Sequence, residues 1–197
     1  QRATLRFNLA LACQRPTQLL RAEWSDFDFT EKTLLLRDSK GRGGSRDHLL
    51  PLTPYALEQL KPLHELNARP HKHGENPPPP FSSDGKRRLS IDTLSGAVGA
   101  ISATLTKKKV ELFQQRDLRR TAETMLQKLG VDKEVRAHLL SHGRSKGVQG
   151  KHYERYDFLK EKRAALEKWA DHIQRIIEPG RKAKVVQIGK RRAAEGR

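Results

Sequence analysis

The sequence QRDLRRTAETMLQKLGVDKEVRAHLLSHGRSKGVQGKHYERY, residues 115–156, holds two short helical patterns and three side chains of distinct chemistry. Leu118, Ala122, Met125 and Leu129 recur at helical spacing from a start near Asp117, and Gly130 supplies the stop. Arg119 and Arg120 follow Leu118 directly. At about 100° per residue, one or both sit at the edge of the buried face, near a helix N-terminus whose free backbone donors suit a phosphate. Asp132 opens a second helix with Val135, Leu139 and Leu140 inward, and His142-Gly143 closes it. His142 lies 23 residues after Arg119, and Tyr153 follows 11 residues later. A guanidinium, an imidazole and a phenol together suit attack on a phosphodiester: a cation for the phosphate oxygens, a second donor or base, and a nucleophile. Taken singly, each has an ordinary role: a solvated Arg pair, a His facing a helix dipole, a half-buried Tyr.

Charge points the same way. The 197 residues hold 40 Lys and Arg against 23 Asp and Glu, a net charge of +17 and a pI near 10.4. That surplus favours a polyanionic partner, most simply nucleic acid. No basic amphipathic segment with a wide apolar face stands out, so membrane binding is not expected. No apolar run approaches the ~20 residues of a membrane span, and no signal peptide opens the chain. Cys13 is the single cysteine, which rules out an intrachain disulfide and a Cys-based zinc site. A soluble protein, cytosolic or nucleoid-associated, is the expectation.

Upstream, residues 3–14 read as a helix already under way, with Leu5, Leu9 and Ala12 on one face and no Met or cap before it. The chain is therefore expected to be an N-terminally truncated fragment of a longer protein. Arg15-Pro16 breaks that helix, and residues 16–22 can resume as a short one with Pro at its first position. The period then changes: WSDFDF (24–29), KTLLLRD (32–38) and RDHLLPLT (46–53) read as three antiparallel strands, with Lys40 and Arg42 at the tip of the second hairpin. Thr53-Pro54 caps a helix carrying Leu57, Leu60 and Leu66, bent at Pro62. Residues 69–88 contain four consecutive prolines and are expected to run over the surface as polyproline II. His64, His71 and His73 lack the carboxylate or thiol pattern of a metal site, so no metal is assigned. Ser90 caps a helix with Ile91, Leu94, Val98, Ile101 and Leu105 at core spacing, followed by Lys107, Lys108 and Lys109, a solvated patch that could touch DNA phosphates.

Beyond residue 156, Leu159, Leu166, Trp169, Ile173 and Ile176 trace a long amphipathic helix ending at Pro179-Gly180. Residues 181–197 hold seven Lys or Arg against one Glu and read as a disordered basic tail. The expected organisation is one α+β domain over 1–178, mainly helical with a small three-stranded antiparallel sheet, and a tail over 179–197.

Several of these stretches resemble the tyrosine recombinase (phage integrase) catalytic domain. ACQRPTQLLRAEWSDFDF is similar to its Thr-Gly-x-Arg-Pro-x-Glu-Leu run leading into Trp-Ser-Asp; SKGRGGSRDHLLPLT resembles its lysine-bearing hairpin. RDLRRTAETML resembles its His-x-x-Arg-Arg-Thr box, and LLSH with HYERYDFL its Leu-Gly-His and tyrosine boxes. The five come in order over about residues 4–175, and are most similar to integrases of prophages and genomic islands. The resemblance implies Tyr153 as nucleophile, in preference to Tyr156, giving a 3′-phosphotyrosyl link. It implies Arg15 and Arg119 on the non-bridging oxygens, Lys40 as general acid to the leaving 5′-oxygen, and His142 on the phosphate or as base. Arg42, Arg120 and Lys107 to Lys109 are the further DNA-binding candidates.

The resemblance further implies no cofactor, double-stranded DNA with attachment sites as partner, and a homo-tetramer on DNA, with a monomer in isolation as the other state. The region after about residue 157 is expected to dock into a neighbouring copy; its folding back onto its own chain would count against that. Three departures bear on efficiency rather than identity: Arg116 stands for the box's His, Gln18 for an acid bracing the first Arg, and Ala12-Cys13 for Thr-Gly. Two other readings stay open: a type IB topoisomerase-like enzyme that relaxes DNA, and a non-catalytic, decayed DNA-binding module.

Overall fold

In a computed structural model, the chain is described over residues 1–38, 46–67, 78–141 and 158–180. Helix α1 (Arg2–Ala10) turns Thr4, Phe7, Asn8 and Ala10 inward. This is a different face from the Leu5–Leu9 stripe expected, because Leu5 and Leu9 are only half-buried at its edge. The helix stops early: Ala12 and Cys13 both take positive φ, 57° and 58°, and reverse the chain. Pro16 then starts α2 (Pro16–Leu19), with Arg15 held extended at its N-cap, as expected before proline.

The Trp-Ser-Asp segment is a 3₁₀ turn over Trp24–Asp26 and not a strand. The Asp26 carboxylate caps the Glu23 N–H, so local hydrogen bonding wins over the alternating pattern, and β1 shrinks to Phe27–Asp28. With β2 (Thr33–Asp38) and β3 (Arg46–Pro51) it forms the expected antiparallel sheet, in the order β1-β2-β3. The hairpin tip carrying Lys40 and Arg42 lies outside the described residues.

Thr53 accepts from the Ala56 N–H at 3.2 Å and opens α3 (Pro54–Asn67), which contains Pro62 and buries Ala56, Leu60, Leu63 and Asn67. Leu66, expected inward, is exposed. Part of the proline run is also placed differently from the expectation. Pro78 and Pro80 are buried, and Trp24 Nε1 and Asn67 Nδ2 donate to their carbonyls at 3.0 Å each, tying the segment inward. Phe81 follows, fully buried against Phe7 at a ring separation of 5.8 Å.

Ser90 caps α4 (Ile91–Thr106) through the Thr93 N–H at 3.0 Å. Leu94, Val98 and Ser102 face inward, whereas Ile91 and Ile101 are exposed; the apolar stripe is wider than the area covered. Helix α5 (Gln115–Lys128) buries Ala122 and Leu126, with Leu118, Met125 and Leu129 at the rim, and Gly130 ends it at φ 70°. Helix α6 (Lys133–Leu139) follows from Asp132.

The last helix, α7 (Leu159–Ile177), lies on its own chain. Trp169 Nε1 donates to Leu9 O at 2.7 Å, and the buried Lys162 Nζ donates to Leu49 O at 2.8 Å. This folding back counts against the expected docking of the helix into a neighbour: its apolar face is covered by α1, α6 and β3. Ile176, expected on that face, is exposed beyond the end of the contact. Among the described residues, no helix is long and apolar enough to cross a membrane, and no group of His, Cys, Asp or Glu could hold a metal.

Candidate active site

The site forms where the α1–α2 reversal meets α5 and the end of α6. Proline at 16 holds Arg15 at φ −60°, ψ 123°, so its side chain leaves the α2 N-terminus toward α6. Arg119 reaches the same place from the second turn of α5. Its Nη1 donates to Cys13 O at 3.0 Å and its Nη2 donates to Leu140 O. Arg15 Nη2 donates to Ser141 O at 3.3 Å. Gln14, between them, donates through Nε2 to Leu11 O at 2.7 Å and to Leu139 O at 3.2 Å.

Electrostatics mark the two guanidiniums as neighbours. Burial, and then repulsion from Arg15, lowers the Arg119 pKa to about 10, which leaves it charged at neutral pH. Two like charges held together at a partly buried site favour an anion between them, and a guanidinium pair fits tetrahedral oxyanions by its forked donors. Cys13 is not part of that chemistry: burial, opposed by Arg119, pushes its thiol up to about 12, so it stays protonated.

The other expected residues fall in three places. Arg116 and Arg120 are exposed and flank Asp117, at 3.9 Å and 3.6 Å, rather than joining the buried pair. Of the Arg119–Arg120 doublet it is thus Arg119 alone that lies at the buried edge. Lys107, Lys108 and Lys109 lie in the exposed turn that closes α4, with Lys109 at φ 63°. Lys40, Arg42, His142 and Tyr153 lie outside the described residues, as do Tyr156, His71 and His73. His64, the third histidine weighed, packs edge-on to Trp24 and Phe29. Gln18, where the family pattern has an acid, is buried, and neither side-chain amide atom has a hydrogen-bond partner among the described residues.

Sequence reasoning missed Gln14 and the carbonyls of residues 139–141 as parts of the site. The one available signal was a polar residue inside the apolar run ALAC-Q, directly before Arg15. It also missed His138, whose ring stacks on Phe158 at 4.0 Å.

A profile of the phage integrase family matches residues 2–159. Among solved structures, the chain is similar to XerA recombinase, with 17% identity and a TM-score of 0.57 over 87% of this chain and 57% of that one. It is similar to the integrase from mycobacterium phage Brujita, with 16% identity and a TM-score of 0.60 over 94% and 55%. It is also similar to the Tn1549 transposon integrase in complex with circular intermediate DNA, with 15% identity and a TM-score of 0.53 over 82% and 55%. At these identities the likeness is one of fold, and the chain spans a little over half the length of each of these proteins. No curated protein sequence matches it significantly. With four fifths of its length inside the family profile, this chain belongs to the phage integrase family.

Proposed function

We propose that the chain is the catalytic part of a tyrosine-type site-specific DNA recombinase, integrating or excising a prophage or genomic island at the bacterial nucleoid. The observation that carries this reading is the convergence of Arg15 and Arg119, 104 residues apart in sequence, on one partly buried, electropositive site next to Ser141. A scissile phosphate enters between them, each guanidinium taking non-bridging oxygens. The Tyr153 oxygen attacks phosphorus and its proton passes to a base, for which His142 is suited. The bond from phosphorus to the 5′-oxygen breaks, and Lys40 gives that oxygen its proton. The 3′-phosphotyrosine conserves the bond for attack by another 5′-hydroxyl, so the reaction as written needs neither metal nor nucleotide.

DNA is the proposed partner, with Arg120, Arg42 and Lys107 to Lys109 on the backbone phosphates and a homo-tetramer on two duplexes as the working assembly. The net charge of +17 supports a steep salt dependence, each phosphate neutralised adding about 0.9 to the log–log slope. One observation favours the non-catalytic reading. Arg116, where the family pattern has a histidine, is 69% exposed and sits beside Asp117.

A library of nicked suicide duplexes separates the readings. Wild-type protein is expected to trap a subset as covalent adducts that survive denaturing electrophoresis, and Tyr153→Phe to trap none. Absence of adduct from the wild type, or equal DNA activity in Tyr153→Phe, supports a binding module instead. Relaxation of supercoiled plasmid without recombinant joints supports the topoisomerase-like outcome.

A further inference from the structure

Three consecutive carbonyls at the end of α6 each receive a hydrogen bond from a different side chain. Gln14 donates to Leu139, Arg119 to Leu140 and Arg15 to Ser141. Two of those donors are the guanidiniums assigned above to the substrate phosphate. A phosphate competes for the same N–H groups, and it brings an opposite charge and a forked, two-oxygen match to the guanidinium that a single neutral carbonyl lacks. When the guanidiniums turn to the substrate, the third tie has no such competition. Gln14 is neutral, 1% exposed, and anchored at its other N–H by Leu11 O at the end of α1. Both its donors are engaged by carbonyls, which defines the amide orientation; the flipped amide would set oxygen against oxygen.

Resting on the recombinase reading, we propose that Gln14 is a positioning residue for phosphoryl transfer. It keeps the C-terminal end of α6, Leu139 to Ser141, fixed beside Arg15 and Arg119 while those two side chains exchange carbonyl oxygens for phosphate oxygens. It touches no reacting atom. Its effect is on the geometry in which Arg15, its direct neighbour in sequence, and Arg119 meet the phosphate, where a displacement of about 1 Å costs on the order of 100-fold in rate.

The test uses the full 197-residue chain and a nicked suicide duplex recovered by covalent capture with the wild type. Gln14→Met keeps the length of the side chain and removes the donors; Gln14→Leu repeats the removal with a different shape. Duplex affinity, melting temperature and the single-turnover rate of adduct formation at saturating duplex are measured for each, at a temperature where all are folded. The expected result is affinity within about twofold of wild type and a rate lower by roughly 10–100-fold in both variants. An unchanged rate with wild-type adduct present overturns the positioning role and leaves the recombinase reading standing. A rate loss that follows weakened affinity also overturns it, as does collapse of both variants below the assay temperature, which makes Gln14 a core residue only. Failure of the wild type to form adduct removes the recombinase reading itself, and this inference with it.

Discussion

Helix α2 is held at both ends, and the two ends are built from opposite materials. At its C-terminal end, Arg88 donates to Leu20 O and pairs with Glu23, Trp24 donates to Pro78 O and packs on Phe27, and Phe7, Phe27 and Phe81 cluster together. At its N-terminal end stand two residues at positive φ, a guanidinium pair that repel each other, and a ring of carbonyls. The first region is neutral or charge-paired and fills its space with rings, as a stability element should. The second concentrates like charge and left-handed backbone, each unfavourable on its own, and persists because the surrounding core leaves it no alternative. Strained backbone and unbalanced charge therefore gather at one place, and an anion there would offset the charge.

Three measurements can break that contrast. The largest expected effect is on the aromatic side: Phe81→Ala should lower unfolding free energy by about 3–5 kcal/mol, read by urea denaturation. A loss below about 1 kcal/mol would mean that Phe81 is not a keystone. On the charged side, Arg119→Met should reduce adduct formation by roughly 10²–10³, equal to about 3–4 kcal/mol of barrier. Its stability should change much less, since lost bonds to Cys13 O and Leu140 O are offset by relief of burial and of Arg15 repulsion. Destabilisation matching Phe81→Ala would erase the distinction between the two regions.

The smallest effect concerns Cys13. Its thiol ionises in the unfolded chain near 9 but in the folded one only near 12. Between those values the unfolded state binds fewer protons, so rising pH should erode stability by up to about 1.4 kcal/mol per pH unit, and the contribution is intact below 9. The difference between wild type and Cys13→Gly isolates this slope from other groups titrating there. Glycine also suits φ 58°. Rapid labelling of the native thiol at pH 8 would sink the prediction.

These two regions also differ in how far the sequence announced them. Arg15 and Arg119, which the structure brings together, were singled out from residue type and order, because the proposed phosphate chemistry restricts which side chains can serve. The aromatic side was largely hidden. Nothing in residues 78–81 says that a proline run should be buried; that follows from Trp24 and Asn67, which reach its carbonyls from 54 and 13 positions away. Similarly, Ile91, Ile101, Leu66 and Ile176 lie on apolar stripes yet remain exposed, since spacing defines a face but not how much of it a neighbour covers.

What the amino-acid order determined unaided was local: the helix starts at Pro16, Thr53 and Ser90, the stop at Gly130 and the antiparallel hairpin. Capping, proline geometry and strand alternation act within a few residues, so they can be read there. Only the tertiary structure decided which carbonyls the guanidiniums meet, that Gln14 ties α1 to α6, and that α7 covers its own chain. Apart from Arg119 to Leu140, 21 positions away, those are contacts between residues more than a hundred positions apart, and their selection depends on how all the helices fill one core together.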